Sequence, residues 1–220
     1  MAELGNIEKP EASGFVAKRK LYVVPTLPFE GLSSQFNVDK AKLERYWGEV
    51  KEKIDYFVST YGKIGFVYLE GIDADRDIKL EFFEKSGKES NHYKLMKSLV
   101  DANAKLKGID KDDVNRRSEL LFEEYSKSML PEIMDIHKGF YGNDIDFNKW
   151  REYLINKVQE MQDDLTRTSS KILEEMPDDT NGVLFIIEGR PIEFPKDTDV
   201  FQIRPPAFDE IIRKIRNSRP

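Results

Sequence analysis

Two glutamates, each followed by glycine, end two apolar runs that lie far apart in the chain. The first run reads FVYLEG and carries Glu70, and the second reads LFIIEG and carries Glu188. A looser copy, PTLPFEG, ends at Glu30 beyond two prolines. Carboxylates placed at strand ends serve as general acids and bases or as ligands of hard cations. The recurring Glu-Gly is therefore the first candidate for a site.

The apolar runs predict strands, and the segment between the first two predicts a helix. KLYVVPTLP starts the fold at about Lys18, and KIGFVYLEGI has the continuous apolar character of a strand covered on both faces. Between them, from Asp39 to Gly62, apolar residues recur at steps of three and four. A strand, helix, strand order is typical of parallel sheets. Two later strands are expected in NGVLFII and TDVFQI, with a short one ending at Pro195 between them and a last helix from Pro206.

The middle of the chain, residues 77–176, shows only helical patterning. Lys94–Lys107 predicts a helix capped by Gly108, and Asp110 is expected to begin the next one. The predicted fold is an α/β domain over residues 18–220, with a mobile arm at 1–17. Its mostly parallel sheet of about four or five strands has a large helical insertion, residues 77–176, between the second and third strands.

Parallel strands bring their carboxyl ends to one edge of a sheet, which is where such folds bind ligands. If their strands are neighbours, the carboxylates of Glu70 and Glu188 come within about 5 Å of each other. Such a pair either shares a proton, as general acid and base, or binds magnesium or manganese with Asp73 as a further ligand. Arg190 and Arg204 then hold a substrate anion or neutralise the glutamates. Against this stands the structural interpretation, since Glu and Gly are common where strands turn.

Composition narrows the class of protein. The chain has no cysteine, which excludes disulfides and thiolate metal sites and favours a cytoplasmic protein. A net charge of -6 disfavours nucleic acid as a partner, and no segment predicts a signal peptide or membrane span. Neither His92 nor His137 has a partner at zinc-ligand spacing. Glycine-rich phosphate loops and a serine-hydrolase elbow are absent from the sequence.

The order of elements is similar to that of the TraB and ChaN-like group of α/β proteins. Members of that group carry Gly-x-x-His motifs at strand ends, where this chain has Thr26 to Phe29 and Gly189 to Ile192 without a histidine. The metal-dependent peptidase activity or haem binding that the resemblance would imply is therefore not expected here.

Two functions follow from these patterns. The first is a small-molecule enzyme, a hydrolase or lyase assisted by a divalent metal, in which Glu70 and Glu188 act as ligands or as acid and base. The second is a non-catalytic interaction or regulatory module, which would use the helical insertion, around Leu121–Met129 and Trp150–Leu165, as a groove or homodimer face.

Overall fold

The computed structural model describes residues 19–26, 39–111, 123 and 147–217 of the 220-residue chain, and helices separate successive strands in these ranges except the last two. The elements in chain order are β1 (Arg19–Thr26), α1 (Lys40–Tyr61), β2 (Ile64–Asp73), a 3₁₀ helix (Leu80–Ser86), α2 (Asn91–Asp101), β3 (Lys105–Asp110), α3 (Phe147–Glu174), β4 (Asn181–Ile187), β5 (Thr198–Gln202) and α4 (Pro206–Asn217).

The strands in the described ranges form one five-stranded sheet with the order β3-β2-β4-β1-β5, and every neighbouring pair is parallel. The predicted α/β class and parallel sheet are thereby confirmed. β2 and β4 are neighbours, with Leu69 in register with Phe185. The carboxyl ends of β2 and β4, which carry the two Glu-Gly pairs, therefore meet at one edge of the sheet.

Both faces of the sheet are covered, as the continuous apolar strands require. Alternate residues of β1 show the division, because Tyr22 and Val24 belong to one buried cluster and Leu21 and Val23 to another. The first cluster includes buried residues of α1, α2 and α4, and we name that side the α1 face. The second includes Ile172 and Leu173 of α3, and we name it the α3 face.

Local signals in the sequence fix where the helices begin and end. Asp39 caps α1, where its carboxylate accepts the backbone N–H of Ala41 at 2.9 Å. Ser90 caps α2 in the same way through the N–H of Tyr93 at 3.1 Å. Gly62, with φ at +94°, ends α1 in a conformation that favours glycine. These caps set the crossovers that return the chain to the sheet.

The predicted helical insertion between the second and third strands is not confirmed. Between β2 and β3 lie only the 3₁₀ helix and the short α2, and the segment 105–110 is a strand rather than the end of a helix. Gly108, expected as a helix cap, sits where β3 runs against the backbone of β2, so that a Cβ there would overlap the carbonyl groups of Ile72 and Asp73. Lys105 and Lys107 make this strand polar, so that its sequence resembles the exposed end of a helix.

One smaller difference concerns the segment after β4. Residues 190–195 form no strand, so the short strand predicted to end at Pro195 is wrong. The predicted arm, Glu30 and the segment Leu121–Met129 fall outside the described residues, apart from Glu123. Through the ranges that are described, no helix combines the length and the apolar character needed to cross a membrane.

Candidate functional site

Glycine follows each glutamate because the backbone adopts a left-handed conformation there, within β2 at Gly71 and in the turn after β4 at Gly189. Gly71 has φ at +76° and Gly189 has φ at +89°, and a Cβ added at either would meet nothing within 4 Å. Backbone conformation, rather than space for a side chain, therefore selects glycine at both places. Glu70 lies near the end of β2, and Glu188 comes directly after β4.

Glu70 is held from the neighbouring strand by both of its carboxylate oxygens. The backbone N–H of Ile187, the last residue of β4, donates to Oε2 of Glu70. Nη1 of Arg190 donates to Oε1 at 2.8 Å. The side chains of Glu70 and Arg190 are only 13% and 11% exposed. This glutamate is thus a fixed, largely buried carboxylate rather than a solvated loop residue.

Asp110, at the end of β3, is the second carboxylate on Arg190, and its side chain is 1% exposed. Its Oδ2 accepts Nη1 of Arg190 at 3.0 Å, and its Oδ1 accepts Nη2. Oδ2 also accepts the backbone N–H of Gly71 at 2.6 Å. Asp110 therefore joins the ends of three adjacent strands, β3, β2 and β4.

The terminal nitrogens of Arg190 are fully used by protein acceptors. Nη1 donates to Glu70 and Asp110, and Nη2 donates to Asp110 and to Oγ of Ser169, at 2.7 Å, on α3. A guanidinium has two hydrogens on each of these nitrogens, so both are saturated. Burial lowers the pKa of Arg190, but its hydrogen bonds and charge interactions with Asp110 and Glu70 outweigh burial and raise that pKa above its ordinary value. Arg190 neutralises the carboxylates, which is one of the two predicted roles.

A second arginine holds Glu188 separately. Nη1 of Arg204 donates to Glu188, and Nε of Arg204 donates to Oδ1 of Asp209, in α4, at 2.9 Å. The Arg204 guanidinium also lies over the ring of Phe208, 5.0 Å from its centroid. Arg204 is 44% exposed and Glu188 is 32% exposed, so this group is far more open to water than the Arg190 group. Glu70 and Glu188 share an edge of the sheet but are bound to different arginines.

Asp73 lies within the same turn region but has a local structural role. Its Oδ1 accepts the backbone N–H of Asp75 at 2.8 Å, which fixes the turn after β2. No group of three or more His, Asp or Glu side chains suited to a metal ion occurs in the described part of the chain. Glu70, Glu188 and Asp73 therefore do not form such a group, and metal binding by them stays a prediction.

Sequence reasoning missed Asp110 and Ser169. Asp110 was expected to start a helix, although the sequence holds a signal for its true position. Gly-Ile-Asp occurs at residues 71–73 and again at 108–110, and Asp73 and Asp110 are register partners between β2 and β3. The second Gly-Ile-Asp could have been recognised as the end of another strand. Both aspartates would then have been predicted at the same edge of the sheet. Ser169 carries no such signal, because its role depends on how α3 packs across the sheet.

Of the two histidines, His137 lies outside the described residues, and His92 is a partly buried member of an aromatic cluster. His92 stacks on Trp47 with ring centroids 4.0 Å apart and meets the edge of Phe83 at 5.5 Å. Burial lowers its pKa to about 4. His92 is therefore a neutral aromatic partner of Trp47 at neutral pH.

Comparison of the chain with known protein families, with curated proteins and with solved structures gives no match. The class that the fold defines is an α/β protein with an all-parallel five-stranded sheet.

Proposed function

We propose that the chain is an enzyme, a hydrolase or lyase, that acts on a small polar molecule at the carboxyl edge of the sheet, with Glu70 as its acid–base group. The observation that carries this proposal is the charged cluster of Glu70, Arg190 and Asp110, largely buried where three strands end. Removing charged groups from water is costly, and fixed charges of this kind concentrate at functional sites.

The position of the cluster in the fold supports the proposal. The segment after β2 leads to α2, on the α1 face, whereas Ile192 and Phe194 in the segment after β4 pack on the α3 face. In open α/β sheets a crevice forms outside the strand ends where neighbouring connections leave toward opposite faces, and ligands bind there. Glu70 stands at such a junction, between β2 and β4.

The hydrogen bonds of Glu70 suit proton transfer. A general acid or base must be held within hydrogen-bond reach of the group it serves, and its own orientation must be fixed. Ile187 and Arg190 each bind one oxygen of Glu70 and leave acceptor capacity on both. Glu188 is the more exposed carboxylate. We assign it to substrate binding rather than to proton transfer.

The proposal does not require a metal. Glu70 and Glu188 are held by different arginines, and Asp73 is engaged with the turn. Arg190 and Arg204 were predicted to bind a substrate anion, and both are assigned to the carboxylates instead. The terminal nitrogens of Arg190 donate to Glu70, Asp110 and Ser169. Arg204 donates to Glu188 and Asp209.

The test is a ligand screen by saturation-transfer NMR with panels of sugars, amino acids, amines and carboxylic acids. Compounds that bind the wild type are expected to lose binding to Glu70→Gln and to retain it with Glu175→Gln. Glu175→Gln is the control because it makes the same chemical change away from the site. Glu175 lies just beyond the end of α3 and pairs with Lys107 at 2.6 Å. Hits would then be followed by NMR for turnover. Binding that is unchanged in Glu70→Gln would remove the proposed site.

The second hypothesis, an interaction or regulatory module, stays a prediction. One of the helix faces cited for it, Leu121–Met129, lies outside the described residues apart from Glu123. Co-purification and light scattering remain its tests.

A further inference from the structure

We infer that Asp110 is a positioning residue for Glu70 and that it acts through Arg190. The inference rests on the proposed function, because it assigns Asp110 to the same site and says what keeps the acid–base carboxylate in place. Asp110 and Glu70 bond to the same nitrogen of Arg190, so the guanidinium is the physical link between them.

Asp110 is the fixed end of this arrangement. Its carbonyl oxygen accepts the backbone N–H of Ala74 at 2.8 Å, and its carboxylate accepts the N–H of Gly71. These bonds tie it to the last part of β2 and to the turn after that strand, while burial of the side chain removes competition from water. A carboxylate held by its own backbone and by two neighbouring groups has little freedom to rotate.

The planar guanidinium of Arg190 links the fixed carboxylate of Asp110 to that of Glu70. Both terminal nitrogens of Arg190 donate to Asp110, which sets the plane and direction of the group. Ser169 holds Nη2 from α3, and Oγ of Ser169 in turn donates to the carbonyl of Leu165 at 2.8 Å. The remaining hydrogen on Nη1 then points to Glu70, so Asp110 determines where the carboxylate of Glu70 is held.

The backbone amide of Ile187 is a reporter of this coupling. It donates to Glu70 and makes no bond to Asp110, so its hydrogen exchange follows the position of Glu70. Asp110→Asn keeps the shape of the side chain but removes one charged acceptor for Arg190. We expect exchange at Ile187 to become faster by on the order of 10-fold, as for a weakened hydrogen bond to a charged group.

Two comparisons separate positioning from general loss of stability. Amides of Val50 and Ile54, buried in α1, report global unfolding and are expected to change less than Ile187. A double-mutant cycle supplies the second comparison, because Asp110→Asn is expected to have no further effect on Ile187 once Arg190→Met has removed the link. Glu175→Gln, in the separate ion pair with Lys107, is the control and should leave Ile187 unchanged.

Each outcome decides the inference. Unchanged exchange at Ile187 in Asp110→Asn, or an equal effect in the Arg190→Met background, would overturn it. If Asp110→Asn does not fold, Asp110→Glu, which keeps the charge but lengthens the side chain, takes its place, and unchanged exchange at Ile187 again overturns the inference. Failure of the proposed function appears elsewhere, as ligand binding that survives Glu70→Gln, so the two failures are distinguishable.

Discussion

Arg190 and Asp110 form a two-pronged ion pair, in which both terminal nitrogens of the guanidinium donate to one carboxylate at the end of β3. Glu70 binds the same guanidinium from β2, so that one positive charge faces two negative ones. Removing the arginine would leave two largely buried carboxylates without their partner. Breaking a buried pair from one side is much more destabilising than never having had it.

Arg190→Met is therefore expected to lower the free energy of unfolding by about 3–5 kcal/mol. Urea denaturation followed by circular dichroism measures the change. Arg204→Met is the matched control, since Arg204 is also held between two carboxylates, Glu188 and Asp209, but is 44% exposed. An exposed ion pair contributes about 0–1 kcal/mol, so this variant should stay close to the wild type. Equal losses in the two variants would contradict the buried character of the Arg190 group.

A second prediction concerns the close approach of β3 to β2. In Gly108→Ala the new Cβ would lie 2.6 Å from the carbonyl carbon of Asp73, which is backbone and cannot move aside cheaply. We expect a loss of about 1–3 kcal/mol or more in the free energy of unfolding. Gly48→Ala in α1 is the control, because its Cβ would meet only Asn91 Nδ2 at 3.4 Å. Alanine there is expected to stabilise the helix by up to about 1 kcal/mol. Similar effects at the two glycines would rule out this packing.

Much of the fold could be predicted from the sequence because apolar periodicity and burial agree for most elements. β2 and β4 are continuous apolar runs, and α1 has an apolar stripe whose members Trp47, Val50 and Ile54 are buried. β3 could not be predicted in this way, because its lysines and Gly108 are also typical of the end of a helix. Its identity as a strand depends on contact with β2, which no local pattern records.

The candidate site, like the fold, could be predicted only in part from the sequence. That Glu70 and Glu188 reach one edge could be predicted from strand direction and from the position of the two Glu-Gly pairs at the ends of apolar runs. Which arginine each would bind did not follow, because Arg190 and Arg204 lie only a few residues beyond β4 and β5 and either could reach either glutamate. The pairing depends on tertiary packing. Ser169, on α3, accepts a hydrogen bond from Arg190, and Asp209, in α4, accepts one from Arg204.

A third prediction addresses the metal expected from sequence. A manganese ion at Glu70 would have to displace a guanidinium that is bound to two carboxylates. Calorimetric titration of the wild type with manganese chloride is therefore expected to give no saturable heat at micromolar concentrations. Glu70→Gln should give the same trace. Micromolar binding in the wild type that disappears in Glu70→Gln would restore the predicted metal site in place of the arrangement described above.

The stacked pair of His92 and Trp47 leads to a prediction about acid stability. Burial lowers the pKa of His92 to about 4 in the folded protein, whereas an exposed histidine has a value near 6.5. The unfolded chain therefore binds the proton first, and the stabilisation from neutral His92 is complete above about pH 6.5 and is lost as the pH falls toward 4.

Between pH 7 and pH 5 the wild type is expected to lose about 2 kcal/mol more of its free energy of unfolding than His92→Phe does. Phenylalanine keeps an aromatic ring against Trp47 and Phe83 but takes up no proton. Carboxylates that titrate in this range are present in both proteins, so their contribution cancels in the difference, as does that of His137. Urea denaturation of both proteins at the two pH values gives the comparison. Parallel losses in the two proteins would show that His92 titrates normally, and hence that its ring is not buried against Trp47 in solution.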